Sequence, residues 1–224
     1  RELVAAASHD LRTPLAALRL LADAVADGIV TAPEEVAAYQ RQARTHLRHL
    51  EALVDDLFEL ARIDAGDVAW LVMPVAVAEI ADEAVDAFRA SAESRGIALS
   101  SEIAADLPTV TGSPEKLQRV LFNLLDNAVR HTPDGGSIVV RARAAASGVE
   151  IDVEDTGPGV PADERERVFV RFHRGGATGT ARTGDGAGLG LAIARSIVEQ
   201  HEGRISVDEG AGGGARFRVV LPAT

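Results

Sequence analysis

The chain has 224 residues, 46% hydrophobic and 25% charged, the usage of a globular protein of one ordinary or two small domains. Its 34 acidic and 23 basic side chains give a formal charge of -11, which sets the average surface against nucleic-acid phosphates. Cysteine is absent, excluding disulfide frameworks, thiolate zinc sites and cysteine nucleophiles, and no uninterrupted apolar stretch of about 18 residues offers a membrane span.

Residues 1–64 are predicted to form two long helices. Apolar residues recur at Val4, Ala7, Leu11, Leu18, Leu21 and Val25 in the first, with Leu15 and Ala22 beside them, and at Val36, Ala43, Leu47, Leu50, Val54, Leu57 and Ala61 in the second. Steps of three and four make a heptad-like seam. Gly28 is expected to end the first helix, and Thr31 with Glu34 has the spacing of a capping box for the second. Two helices alone bury little, so both seams call for a second copy and a four-helix bundle.

Beyond residue 66 the periodicity changes. A turn is expected at Gly66 and a strand over Val68–Val77, then a helix over about 78–95 and short strands at Ala98–Ile103 and Pro108–Thr111. Ser113 is the expected cap of a helix with Pro114 at its first position and Lys116–His131 as its body. Strands at Ser137–Ala145 and Val149–Asp155, a helix from about Leu189 to Gln200, and a closing hairpin of Arg204–Asp208 with Ala215–Leu221 complete the pattern. Strands joined by hairpins and mixed with helices predict an α+β layer rather than a doubly wound sheet. Glycines gather at 157–190 and 210–214, and the first group carries the interpretable motifs.

With about 100° per residue, His9 falls at about 160° from Leu11, nearly opposite the apolar stripe, with Thr13 one turn further along the outer face. A solvent-facing histidine is commonly just solvated; its neighbourhood, Ser8-His9-Asp10-Leu11-Arg12-Thr13-Pro14-Leu15, argues otherwise. Pro14 removes the donor to the Asp10 carbonyl and should bend the helix one turn after an exposed imidazole. Asp10 is placed to fix one ring nitrogen and leave the other nucleophilic.

Three further motifs follow. Asn123 and Asn127 stand four apart on one helix face, and neutral carboxamide oxygens suit Mg²⁺ already charge-matched by phosphates. Asp155-Thr156-Gly157-Pro158-Gly159 follows an alternating strand, so a strand-end carboxylate can take a hydrogen bond from an exocyclic amine while glycines admit a flat base. Gly184-Asp185-Gly186-Ala187-Gly188-Leu189-Gly190 opens a helix and offers N–H donors to an anion; it is neither a Walker loop nor a Rossmann fingerprint. The polar stretch Arg171–Thr183 has the composition of a lid, with Arg171, Arg174 and Arg182 as phosphate-reaching candidates. His46, His49, His173 and His201 match no motif; His46 and His49 share a helix face but lack a third ligand nearby.

The block at His9 resembles the phosphoacceptor H-box of two-component sensor histidine kinases. The later motifs resemble, in order, the N, G1, F and G2 boxes of the Bergerat-fold ATPases, with Phe169 and Phe172 for the F-box. The resemblance implies two domains. Residues 1–65 would be an all-α helical hairpin for dimerisation and phosphotransfer, a four-helix bundle once dimerised. Residues 66–224 would be a catalytic ATP-binding α/β (α+β) sandwich with an ATP lid at about 171–187. By the same resemblance His9 accepts the phosphoryl group, Asp10 is its general base, and Thr13 orients a water when the protein dephosphorylates its partner. Asn127 would hold Mg²⁺ with Asn123 nearby, Arg130 touch phosphate, His131 stack on adenine and Asp155 read the adenine amine. Gly157 and Gly159 would shape the base pocket, and Gly186, Gly188, Leu189 and Gly190 wrap the phosphates. Many family members carry Lys and Tyr where Arg130 and His131 stand, which leaves the role of His131 open. The implied cofactors are ATP and Mg²⁺; the implied partners are a second copy of the chain and a response regulator receiver domain, with no nucleic acid. Arg1 opening directly on helical sequence, without a signal peptide, fits the cytoplasmic portion of a membrane-anchored bacterial sensor. Two other readings use the same motifs: a Bergerat ATPase that drives conformational change, which gives His9 no purpose, and a degenerate kinase serving as a dimeric scaffold.

Overall fold

The computed structural model describes residues 2–65, 70–146, 148–173 and 188–224, with side chains described from residue 11 onward. The chain divides into two units, Arg1–Asp67 and Val68–Thr224.

In the first unit, α1 (Glu2–Ala26) and α2 (Pro33–Asp64) lie against each other as a hairpin. α1 runs through Pro14 as one helix, and Pro14 itself is buried. Its end closes at Gly28 as expected. A φ of 70° there lets the Gly28 N–H donate to Val25 O (3.3 Å) and the Ile29 N–H to Ala24 O (3.0 Å), the paired bonds of a Schellman turn. The capping box expected at Thr31 does not form. Pro33 takes the first helical position, so the N-cap falls on Ala32, which has no side chain able to cap. The residues α2 buries are Leu53, Leu60 and Ile63, none of them in the expected seam, whose described members are half-buried or exposed; Leu15, Leu47 and Phe58 are 52%, 46% and 67% exposed. No described helix is long and apolar enough to cross a membrane.

The second unit is an α+β sandwich. Of the strand expected over 68–77, the described residues form a ladder only at Met73–Val75 (β1), paired antiparallel with the three-residue β3 (Val110–Gly112). The main sheet has the order β2-β4-β5-β7-β6, made of Ala98–Ile103, Ser137–Ala145, Gly148–Asp155, Ala215–Pro222 and Arg204–Glu209. β2 pairs with β4 in parallel, and all other pairs are antiparallel. Helices α3 (Val77–Glu93), α4 (Pro114–His131) and α5 (Gly190–Gln200) supply apolar faces to one core. Leu121, Leu124 and Leu125 of α4, Ile193 and Ile197 of α5, and Ile138, Val153 and Phe217 of the sheet are all at most 2% exposed. Period-two alternation turns the other sheet face polar. There Arg141 pairs with Glu102 and Glu154 (both 2.7 Å), Arg218 with Asp152 (2.8 Å) and Glu150 (3.0 Å), and Arg143 with Glu150.

Ser113 stands at the N-cap of α4, but its hydroxyl makes no cap bond. The residue is buried, and its N–H donates to Nε2 of His201 (3.0 Å), whose Nδ1–H reaches Ile197 O (2.7 Å). An imidazole that accepts at one nitrogen and donates at the other is neutral and fully used. Trp70 stacks on this ring at 5.1 Å and 20°, so the single tryptophan reports on the packing of the second unit.

α5 also ends in a Schellman turn, with Glu202 N–H to Glu199 O (3.0 Å) and Gly203 N–H to Val198 O (2.9 Å), but the left-handed position (φ 57°) is held by Glu202. The left-handed conformation costs a side chain about 1–2 kcal/mol, and the greater chain entropy of glycine offsets part of that. Glu202→Gly is therefore expected to stabilise the second unit by about 0.5 kcal/mol. The denaturant midpoint of Trp70 fluorescence measures this; a midpoint below wild type would contradict the strain assigned to Glu202.

Candidate active site

The amphipathic pattern of α4 buries Leu124, Leu125 and Ala128 and leaves Asn123 and Asn127 half-buried at the edge of the core. Asn123 donates from Nδ2 to the carbonyl of Gly190 (3.0 Å), which joins the middle of α4 to the first residue of α5. Arg130 is engaged by Asp126 one turn back (2.7 Å), and His131 is exposed at the end of the helix.

Asp155 ends β5 and is 2% exposed. Its Oδ1 accepts two backbone N–H groups, from Gly157 (2.8 Å) and Ala215 (3.2 Å). Oδ2 takes no hydrogen bond among the described residues, so it is the oxygen available to a ligand donor. Burial raises the carboxyl pKa above its ordinary 3.8, against the smaller opposing pull of the two N–H donors and of His131.

Backbone crowding at this carboxylate explains the local sequence. A Cβ on Gly157 would stand 2.7 Å from the His131 carbonyl, and one on Gly214 would stand 1.9 Å from the Asp155 carbonyl. The second glycine group, 210–214, thus forms the wall behind Asp155, with Gly159 lying over Gly213 and Gly214. Sequence reasoning missed this part of the site; the density of glycine in Gly210–Gly214 was the signal. It also missed Thr156, whose hydroxyl accepts the Ser137 N–H (2.9 Å) and ties the loop to the start of β4.

At the far side of the site Gly188 accepts the Phe172 N–H (2.9 Å), Leu189 is buried at the N-cap of α5, and Gly190 begins that helix. Phe169 is buried edge-on to Phe217 (6.2 Å), with the Arg195 guanidinium 5.8 Å from its ring. α4 thus touches two parts of the expected site, Asn123 meeting Gly190 at the start of α5 and His131 meeting Gly157 beside Asp155, with Asn127 between them on the same helix. Gly186, Arg174, Arg182 and most of the lid expected at 171–187 lie outside the described residues. In the first unit, His9 and Asp10 lie on α1 with side chains outside the described residues, and Thr13, one turn on, is exposed.

Two family profiles match this chain. The one described as "Histidine kinase-, DNA gyrase B-, and HSP90-like ATPase" covers residues 112–224, and the one described as "His Kinase A (phospho-acceptor) domain" covers residues 1–66. The chain is 39% identical over 223 residues to the signal transduction histidine-protein kinase BaeS of Escherichia coli (strain K12), an alignment that covers 99% of this chain and 46% of BaeS. Among solved structures, the mycobacterial sensor histidine kinase MprB is 32% identical with a TM-score of 0.58, over 68% of this chain and 98% of that one. Full-length ShkA in complex with AMPPNP is 28% identical with a TM-score of 0.72, over 100% of this chain and 46% of that one. The chain spans about half the length of the relatives it matches over their full sequences, 46% of BaeS and 57% of a Synechococcus SasA.

The raised pKa of Asp155 has a stability consequence. The penalty of its buried charge appears as pH rises from 3.8 through the folded-state pKa and is constant above that; acidification through the same window removes it. Asn in its place keeps an oxygen for the two N–H donors and carries no charge. Without ligand, Asp155→Asn is expected to melt at or above the wild-type temperature at neutral pH, with the difference shrinking as pH falls toward 3.8. A variant less stable than wild type at neutral pH would show that burial is not what moves this group.

Proposed function

The chain belongs to the histidine kinases that join a phosphoacceptor domain to a gyrase B- and Hsp90-like ATPase domain, and from that membership we propose that it phosphorylates its own His9 with ATP. It then hands the phosphoryl group to an aspartate on the receiver domain of a response regulator. The observation that carries this reading is the Asp155 carboxylate, with one oxygen locked by backbone donors and the other left to a ligand. A fixed, water-poor acceptor at a strand end selects an amino group on a flat base, as adenine presents.

In this reading residues 1–65 form the phosphoacceptor domain and residues 66–224 the ATP-binding domain. Asn127 supplies a neutral, hard oxygen on a half-buried helix face, which fits Mg²⁺ arriving on phosphates better than a carboxylate would. When bound, Mg²⁺ neutralises charge on the phosphate oxygens. Asn123, held by Gly190, keeps α4 and the α5 N-terminus together, and the N–H groups of that terminus meet the triphosphate. The His9 nitrogen attacks the γ-phosphorus; an N–P bond forms, the bond to the β-bridging oxygen breaks, and ADP leaves with that electron pair. Asp10 takes the proton released by the ring. Phosphohistidine then passes its phosphoryl group to the receiver carboxylate, and Thr13 orients water when the same hairpin removes it. The exposed apolar residues Leu15, Leu47 and Phe58 support closure of the hairpin into a four-helix bundle with a second copy. Use of ATP as donor supports a cytoplasmic position for this chain, which in this reading is the cytoplasmic portion of a membrane-anchored sensor.

Incubation with γ-labelled ATP tests the reaction. Wild type is expected to acquire acid-labile label, His9→Gln none, while the variant still binds a fluorescent ATP analogue. Asp155→Asn presents an amide N–H where the base amine needs an acceptor. It should bind that analogue about 10- to 150-fold more weakly, the value of one hydrogen bond to a charged group. Label on His9→Gln at the wild-type rate would refute the mechanism. For the reverse activity, a phosphorylated receiver is expected to lose phosphate more slowly with Thr13→Ala than with wild type; equal rates would remove the role of Thr13.

A further inference from the structure

α4 stops at His131 without a glycine cap. Thr132 is already extended (φ -71°, ψ 128°), as expected of a residue that precedes proline. A helix that ends this abruptly leaves its last carbonyls without intrahelical donors. The Thr132 N–H (2.9 Å) and hydroxyl (2.7 Å) both go to the Ala128 carbonyl, which leaves the carbonyls of Val129 and Thr132 to be satisfied from elsewhere.

Arg95, in the turn between α3 and β2, satisfies both. Nη1 donates to the Val129 carbonyl and Nη2 to the Thr132 carbonyl (3.0 Å), while Nε also donates to Asp134 Oδ1 (3.0 Å). The Gly135 N–H returns to the Arg95 carbonyl (3.3 Å). The cation sits at the negative end of the α4 dipole, where it is favourable, and the side chain is only 30% exposed. Between the two clamped carbonyls lies His131. Its carbonyl is the group that Gly157 approaches so closely that a Cβ there would stand 2.7 Å away. Gly157 in turn holds Oδ1 of Asp155. A chain of direct contacts therefore runs from Arg95 through the end of α4 and Gly157 to the buried carboxylate.

We propose that Arg95 is a positioning residue for the base-binding end of the nucleotide site. By fixing where α4 ends, it seats Gly157 and with it the free oxygen of Asp155. This rests on the ATP-dependent kinase reading above. The phosphate end is held separately, because Asn123 and Asn127 lie further back along α4 and Asn123 is anchored to Gly190. Loss of the clamp then weakens recognition of the base and leaves phosphoryl transfer from bound nucleotide intact.

The test is autophosphorylation of the 224-residue chain over a range of ATP and GTP concentrations, for wild type, Arg95→Ala and Arg95→Lys. Arg95→Ala is expected to raise the half-saturating ATP concentration about tenfold with the limiting rate within about twofold, the pattern of lost ground-state binding. Guanine carries a carbonyl where adenine carries the amine, so half-saturation by GTP stays unchanged and the preference for ATP narrows by the same factor. Arg95→Lys keeps a cation that reaches one carbonyl and recovers part of the loss. If Arg95→Ala does not fold by circular dichroism, a few-fold rise in half-saturation for Arg95→Lys carries the same prediction. Half-saturation at the wild-type value in a folded variant, or a fallen rate at unchanged half-saturation, overturns the role of Arg95 alone. A wild-type chain that takes no label from ATP overturns the kinase reading and this inference with it.

Discussion

Burying one carboxylate is the constraint on which the second unit depends. Asp155 sits at 2% exposure with no salt bridge to a cation among the described residues, and two backbone N–H groups stabilise its charge. Two N–H groups converge on one oxygen only because chain segments 157 and 215 pass within hydrogen-bond distance, and that approach requires the glycines at 157 and 214. Gly157 in turn packs closely against the His131 carbonyl at the end of α4, and Asn123 bonds the Gly190 carbonyl at the start of α5. The strands, glycines and helix ends of the site follow from holding this one group in place.

Much of this was legible in the sequence because it is local. Ala98–Ile103 and Ser137–Ala145 are strands with the expected bounds, since alternation along a strand needs no knowledge of the partner. Asn123 and Asn127 read correctly as neighbours on one helix face, and Asp155 as a strand-end carboxylate, for the same reason. The failures are non-local or involve proline. Thr31 looks like a cap, yet Pro33 shifts that helix start to Ala32; Ser113 does take the N-cap position, but its hydroxyl makes no cap bond, and its N–H goes to His201, 88 residues away. Gly210–Gly214 looks like an ordinary hairpin turn until Asp155 is set behind it. Arg95 is 34 residues from the carbonyl of Val129 that it caps, and no periodicity links them.

The two units manage apolar surface differently. The second closes its core with three helices on one sheet face, and its largest side chains are almost wholly covered. The first is a hairpin with an apolar stripe too wide for two helices, which leaves Leu15 and Phe58 in water. A surplus of this kind is a standing drive to associate, because each buried methylene contributes roughly 0.8 kcal/mol. One unit thus closes its own core, while the other keeps apolar surface in water.

The polar sheet face carries a consequence for traffic around the molecule. Arg141, Arg143 and Arg218 are already matched to Glu102, Glu150, Asp152 and Glu154 across neighbouring strands. A visiting protein would have to strip water from these charges and break pairings that satisfy them. Docking directly over Arg141, Arg143 and Arg218 therefore carries a desolvation cost that an uncharged sheet face would not impose.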